Sequence, residues 1–187
     1  MISVFGSARR SFVFPSNLTT AYAYYGELNR ILSYLPHLFV LKAYSPHRFR
    51  MLYSTTELAT YRIRVYADVQ AAPDKERRVL RVSPLTGLPP VRAEAGIRSS
   101  TAQGYFSSES IFYDEGDETR IEYSLRLECR LPTPLAMRFI PSKIVDRIAE
   151  SVTEWRIGEI VDGFVEQSIR EFLRQRSKVR YRSPAHR

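Results

Sequence analysis

Hydrophobic and polar residues alternate along most of this chain, and the period changes only near the C-terminal end. Tyr61, Ile63, Val65, Ala67, Val69 and Ala71 fall on one side of an extended backbone, and Arg62, Arg64, Tyr66, Asp68 and Gln70 fall on the other. The alternation returns over 119–131, where Ile121, Tyr123, Leu125, Leu127, Cys129 and Leu131 oppose Arg120, Glu122, Ser124, Arg126, Glu128 and Arg130. Shorter strands are predicted over 7–15, ending at Pro15, and over 38–45, 48–57, 77–83 and 104–115, with Pro46-His47, "PDKE" and "GDE" as turns. Each strand that can be phased has one apolar and one charged face. The sheet is therefore antiparallel and covered on one side.

Three stretches break the alternation. Ser16 is the predicted N-cap of a short helix that Gly26 stops, and a second short helix ends before Pro36, with Leu28, Ile31, Leu32 and Leu35 at helical spacing. Residues 84–103 hold three prolines, two glycines and no period, the signature of a functional or mobile loop. From Ser142 to about Arg174 the pattern is helical, with Ile144, Ile148, Val152, Trp155, Ile160 and Phe164 along a stripe that should face the sheet. The order is one strand, two short helices, six strands and a long helix. It predicts an α+β fold in which a curved antiparallel sheet of about seven strands wraps around the C-terminal helix.

This layout resembles the START-like, or SRPBCC, helix-grip superfamily. "FVFPSNLTTAYAYYGELNRILSYLP" looks like its first strand and paired helices, and "GYFSSESIFYDEGDETRIEYSLRLEC" looks like its last hairpin. "RLPTPLAMRFIPSKIV" is most similar to an uncharacterised branch familiar from photosynthetic organisms. The resemblance covers about residues 8 to 174 and rests on architecture. It implies a cavity between helix and sheet, closed at one end by the paired helices, but it carries over no active-site residue.

The length, 187 residues, suits one domain, expected over 1–176 with a basic tail over 177–187. Net charge is +8, yet seven of the 28 basic residues (Arg170, Arg174, Arg176, Lys178, Arg180, Arg182, Arg187) lie at the C-terminal end, so the folded body is closer to neutral. A single cysteine excludes an internal disulfide, no apolar run is long enough to span a membrane, and the first residues lack a signal-peptide pattern. A cytoplasmic protein is expected.

The cavity lining expected from the strand and helix phases is Tyr61, Ile63, Val65, Tyr123, Leu125, Leu127, Ile148, Val152, Trp155, Gly158 and Phe164. Gly158 and Gly163 sit inside the long helix, making room for a ligand or for a close strand. His37 and His47 stand beside prolines in predicted turns and gain no catalytic partner there; Cys129 faces inward as an inert thiol. Clean strands place no carboxylate inward, although Glu109 or Asp68 would enter if the phase slipped. No metal-ligand spacing, phosphate loop or nucleophile elbow is present, so no metal, cofactor or catalytic residue is expected. Arg62, Arg64, Arg126 and Arg130, with Tyr66 between, offer a nucleic-acid platform on the outer face, but Glu122 and Glu128 dilute its positive field and favour a plain solvated face. The leading expectation is a non-enzymatic binding or carrier protein for a lipid, isoprenoid or pigment-like molecule, with lids at 84–103 and 17–35. The alternatives are a cyclase or dehydratase using the same cavity, and a basic module whose tail binds anionic membrane or nucleic acid.

Overall fold

The first strand, β1 (Ile2–Phe14), pairs along its whole length with the last, β8 (Glu118–Leu131), from Ile2 opposite Leu131 to Phe14 opposite Thr119. The computed structural model describes residues 1–57 and 59–182. Between those two strands the chain forms β2 (Leu38–Ser45), β3 (Arg48–Glu57), β4 (Tyr61–Asp74), β5 (Val79–Pro84), the two-residue β6 (Glu94–Ala95) and β7 (Ser99–Glu115). The sheet order is β1-β8-β7-β5-β4-β3-β2, with β6 beside β7. The alternating patterns correspond to strands that bury one face: Phe49, Met51, Tyr53, Val65, Ala67, Ile121, Tyr123 and Leu125 are all buried.

One contact departs from an all-antiparallel sheet. β5 stops at Pro84, and beyond its end β4 meets β7 directly, Arg62–Tyr66 against Ser99–Gln103, in parallel. Both strands run antiparallel to β5, so they must run parallel to each other. The 84–103 segment is thus not a free loop: β7 takes its last five residues and β6 two more. Residues 84–93 lie over the outer face of the sheet. There Arg50 donates to the Pro89 carbonyl (3.0 Å), and the Gln103 side chain accepts from the Val91 amide (3.1 Å). Asp68 keeps the expected outward phase yet is buried beneath this segment, held by two 2.8 Å bonds from Arg50.

Helix α1 (Leu18–Gly26) is capped by Asn17, one residue later than expected, whose side chain accepts from the Thr20 amide at 3.1 Å. With α2 (Leu28–Leu32) it packs on the C-terminal half of α3 (Ser142–Arg182). Tyr24 donates to the Ser168 carbonyl (3.0 Å), Tyr25 bonds the Ser168 hydroxyl (2.8 Å), and Phe14 stacks on Phe172 at 4.6 Å. α3 runs past the expected end at Arg174 because no glycine or proline follows that residue before Pro184. Arg176 also donates to the Pro15 carbonyl at 3.0 Å. The first part of the expected tail is therefore helical, and residues 183–187 lie outside the described residues.

α3 lies across the apolar face of the sheet. Its buried seam is Val145, Thr153, Ile157, Ile160, Val161, Phe164, Ser168 and Phe172. Trp155 is two residues from both Thr153 and Ile157, hence about 200° round the helix from each. It is 60% exposed and stacks on the Arg156 guanidinium at 4.3 Å, which corrects the expectation that it faces the sheet. The helix crosses β1 at Gly6, where an added Cβ would stand 3.1 Å from Thr153 Cγ2 and would clash with Ile157 Cδ1.

Candidate functional site

Where α3 leaves the sheet toward its own N-terminus, the two surfaces diverge and leave a cavity. Its internal volume is about 150 Å³. Tyr61, Ile63 and Val65 of β4 and Leu127, Cys129 and Leu131 of β8 form the floor, and Ile2 and Val4 of β1 form one wall. Ile148, Ala149, Val152, Ile157 and Ile160 of α3 form the roof. The mouth is framed by Met137 and Ile140, from the segment joining β8 to α3.

Of the expected lining, the structure brings Tyr61, Ile63, Val65, Leu127, Ile148 and Val152 together at this cavity. It separates the other five from it. Tyr123 and Phe164 pack on each other (4.7 Å) in a region that α1 and α2 fill, and Leu125 is buried in the core beside Ile157 and Ile160. Trp155 faces solvent, and the space beyond Gly158 is open, with none of the described residues within 4 Å of an added Cβ. The 17–35 helices close a solid end of the fold and residues 84–93 cover the outer face, so the paired helices do not lie over the mouth, and the 84–103 segment reaches its edge through Gly96 and Ile97, which accept from the Leu135 and Ala136 amides. The position over the mouth belongs to residues 132–141.

A polar network stands at the end of the cavity formed by β3. Glu57 is buried, accepts from Thr55 (3.1 Å) and is held by Arg156 through Nε (2.7 Å) and Nη2 (3.2 Å). Arg156 also donates to Glu159 at 2.5 Å, and His37 Nε2 lies 3.4 Å from the same carboxylate. His37 is therefore part of a structural cluster, where a free turn residue was expected. Bonding to Glu57 holds the Arg156 guanidinium above its ordinary range. Burial pushes Glu159 upward, but the bonds and charges of Arg156 and His37 outweigh it, and its carboxyl titrates below the usual range. The sequence carries a signal for Glu57. It continues the inward row Phe49, Met51, Tyr53, Thr55 by strict alternation.

The remaining polar groups in the wall stay neutral near pH 7. Burial pushes the Tyr53 phenol up to about 12, with Glu57 adding to the effect and Arg156 opposing it. Burial likewise pushes the Cys129 thiol to about 12, with Glu128 adding to it. Tyr61 is raised by burial, and Ser100 offsets this in part. Among the described residues its hydroxyl has no partner at hydrogen-bonding geometry; the nearby Ser100 hydroxyl donates to the Pro132 carbonyl. Among the described residues no three His, Cys, Asp or Glu side chains gather in a way that could hold a metal ion.

No protein-family model matches the sequence, and no curated protein matches it. Solved structures do. An aromatase/cyclase from Streptomyces sp. R1128 superposes with a TM-score of 0.52 at 9% identity, over 98% of this chain and 99% of its own. The fold is the helix grip. A conserved protein from Geobacillus kaustophilus shares the helix grip at a TM-score of 0.55 and 8% identity, over 90% of this chain and 96% of its own. The di-domain aromatase/cyclase StfQ of the steffimycin pathway shares it at 0.53 and 11%, over 94% of this chain and 52% of that longer one. At such identities the likeness is one of fold, and the helix grip places the cavity between sheet and C-terminal helix without naming its contents.

Proposed function

We propose that the chain is a binding or carrier protein that encloses an apolar small molecule, of lipid, isoprenoid or pigment type, between the sheet and α3. The observation that carries this reading is the cavity wall. It is aliphatic almost throughout, its carboxylate is tied to Arg156, and its phenol and thiol groups do not ionise near neutral pH. An internal volume of about 150 Å³ suits one ring or a short branched chain, and apolar surface placed there leaves water at about 25 cal/mol per Å². A longer ligand extends into the mouth by displacing Met137 and Ile140. A cyclase or dehydratase is the second reading. It draws on Glu57 and Tyr61, a buried carboxylate and an unpartnered phenol at one cavity, and on the aromatase/cyclase neighbours.

Cys129 supplies the test, because its thiol lies in the wall. Medium-chain fatty acids and isoprenoid alcohols should raise the melting temperature by linkage and slow Cys129 alkylation. Val152→Phe should fill the space and abolish both effects. If no apolar compound moves either quantity, while Val152→Phe costs the roughly 1–3 kcal/mol of an overpacked core, the cavity does not serve as a binding site.

A further inference from the structure

The cavity mouth carries an apolar surface that the fold itself does not use. Phe139 is 95% exposed, Ile144 51%, Leu135 43%, Ile148 41% and Ile140 40%. Ile97, 69% exposed, is held beside them by backbone bonds from the Leu135 amide to Gly96 (3.3 Å) and from the Ala136 amide to Ile97 (3.4 Å). A monomer seldom leaves so many large apolar side chains together on its surface unless they meet something.

The charges around this patch are ordered. Ile144 and Ile148 form one row along the first turns of α3, and Lys143 and Arg147 form the row next to it. The acids Asp146 and Glu150 each follow an isoleucine by two residues, which puts them about 200° round the helix. Arg138 adjoins Phe139 in sequence. Arg138, Lys143 and Arg147 make no ion pair among the described residues. Apolar side chains bordered by cations that make no ion pair among the described residues match a surface that lies in a lipid interface.

We propose that residues 135–148 dock on an anionic lipid surface, with Phe139 and the Ile140, Ile144 and Ile148 side chains entering the headgroup boundary and Arg138, Lys143 and Arg147 meeting lipid phosphates. Ile140 and Ile148 also line the cavity. Docking therefore brings the mouth to the membrane plane, and the interface replaces the water that otherwise faces it. The docking itself does not depend on the cavity being occupied. Only the further step, in which ligand passes between membrane and cavity, rests on the binding reading.

The test is co-sedimentation of the full chain with extruded phosphatidylcholine vesicles, with and without phosphatidylglycerol. Binding is expected to the anionic vesicles and to fall with salt. Phe139→Asp should weaken it by roughly tenfold or more, and Lys143→Gln and Arg147→Gln by roughly fivefold each. Circular dichroism checks that these surface variants remain folded. Val152→Phe should bind vesicles as the unaltered chain does, even where ligand uptake is lost, so failure of the cavity reading and failure of docking give different results. The proposal is overturned if no vesicle binds the chain, or if removal of residues 178–187 abolishes binding that Phe139→Asp leaves intact. It is equally overturned if sedimentation velocity shows a dimer that Phe139→Asp dissociates, since the patch would then belong to a second copy.

Discussion

Gly158 and Gly163 both lie on α3 and have opposite surroundings. A methyl group at Gly158 would meet none of the described residues within 4 Å, whereas one at Gly163 would stand 2.6 Å from Pro36 Cγ, on the segment that joins α2 to β2. Gly158→Ala should therefore release the helix penalty of glycine and raise stability by up to about 1 kcal/mol. Gly163→Ala gains the same term but must push back a rigid ring, which costs roughly 1–3 kcal/mol, so the net change should be destabilising. Urea midpoints of the two variants check this; equal shifts of the same sign would show that α3 does not press on Pro36. Both glycines are visible in the sequence. What distinguishes them is a contact with a residue near the other end of the chain, which no local pattern contains. Asp68 is the same case, because alternation gives its outward phase correctly and only the distant 84–93 segment makes it buried.

Helix α3 shows how much a periodicity reveals and where it becomes ambiguous. Its position against the sheet follows from its apolar content, but two adjacent rows are apolar. Ile144 and Ile148 continue toward Trp155, while Val145 continues through Ala149 and Thr153 to Ile157. Only the second row faces the core, and the first forms the patch at the mouth. Apolar spacing alone does not separate a row that packs on the sheet from one that meets something else, so it points Trp155 inward and does not single out Ile157. Midway along the helix, Arg156 joins Glu57 to Glu159 and His37, and this sets a pH dependence. Glu159 titrates below its ordinary value of 4.5 in the folded chain, so its stabilising contribution is complete above that value and is lost as pH falls through the lower folded one. Urea unfolding across that acidic window should show stability declining with pH, and Glu159→Gln should flatten the decline. An unchanged acid limb in that variant would assign the loss to other carboxylates.

At the scale of the whole molecule, the strand-by-strand alternation makes the helix grip legible in the sequence, because a sheet with one apolar face and a single long apolar helix has few ways to pack. The cavity is legible only in part. Its strand residues follow from period two, but its mouth is formed by the proline-flanked 132–141 segment, which has no period at all. The pairing of β1 with β8 has a consequence for how the chain is made. Ile2–Phe14 leaves the ribosome well before its partner Glu118–Leu131 and the covering α3. At roughly 5–20 residues per second, β1 and the apolar faces of β3 and β4 wait on the order of ten seconds without partners. A nascent chain halted at Pro141 is expected to recruit a chaperone or to sediment, and one extended until α3 clears the ribosome is expected to stay soluble. Equal solubility of the two would mean that the sheet closes without its helix. Production of this protein should therefore respond to chaperone supply and to synthesis rate more than a protein of its size with mainly local contacts would.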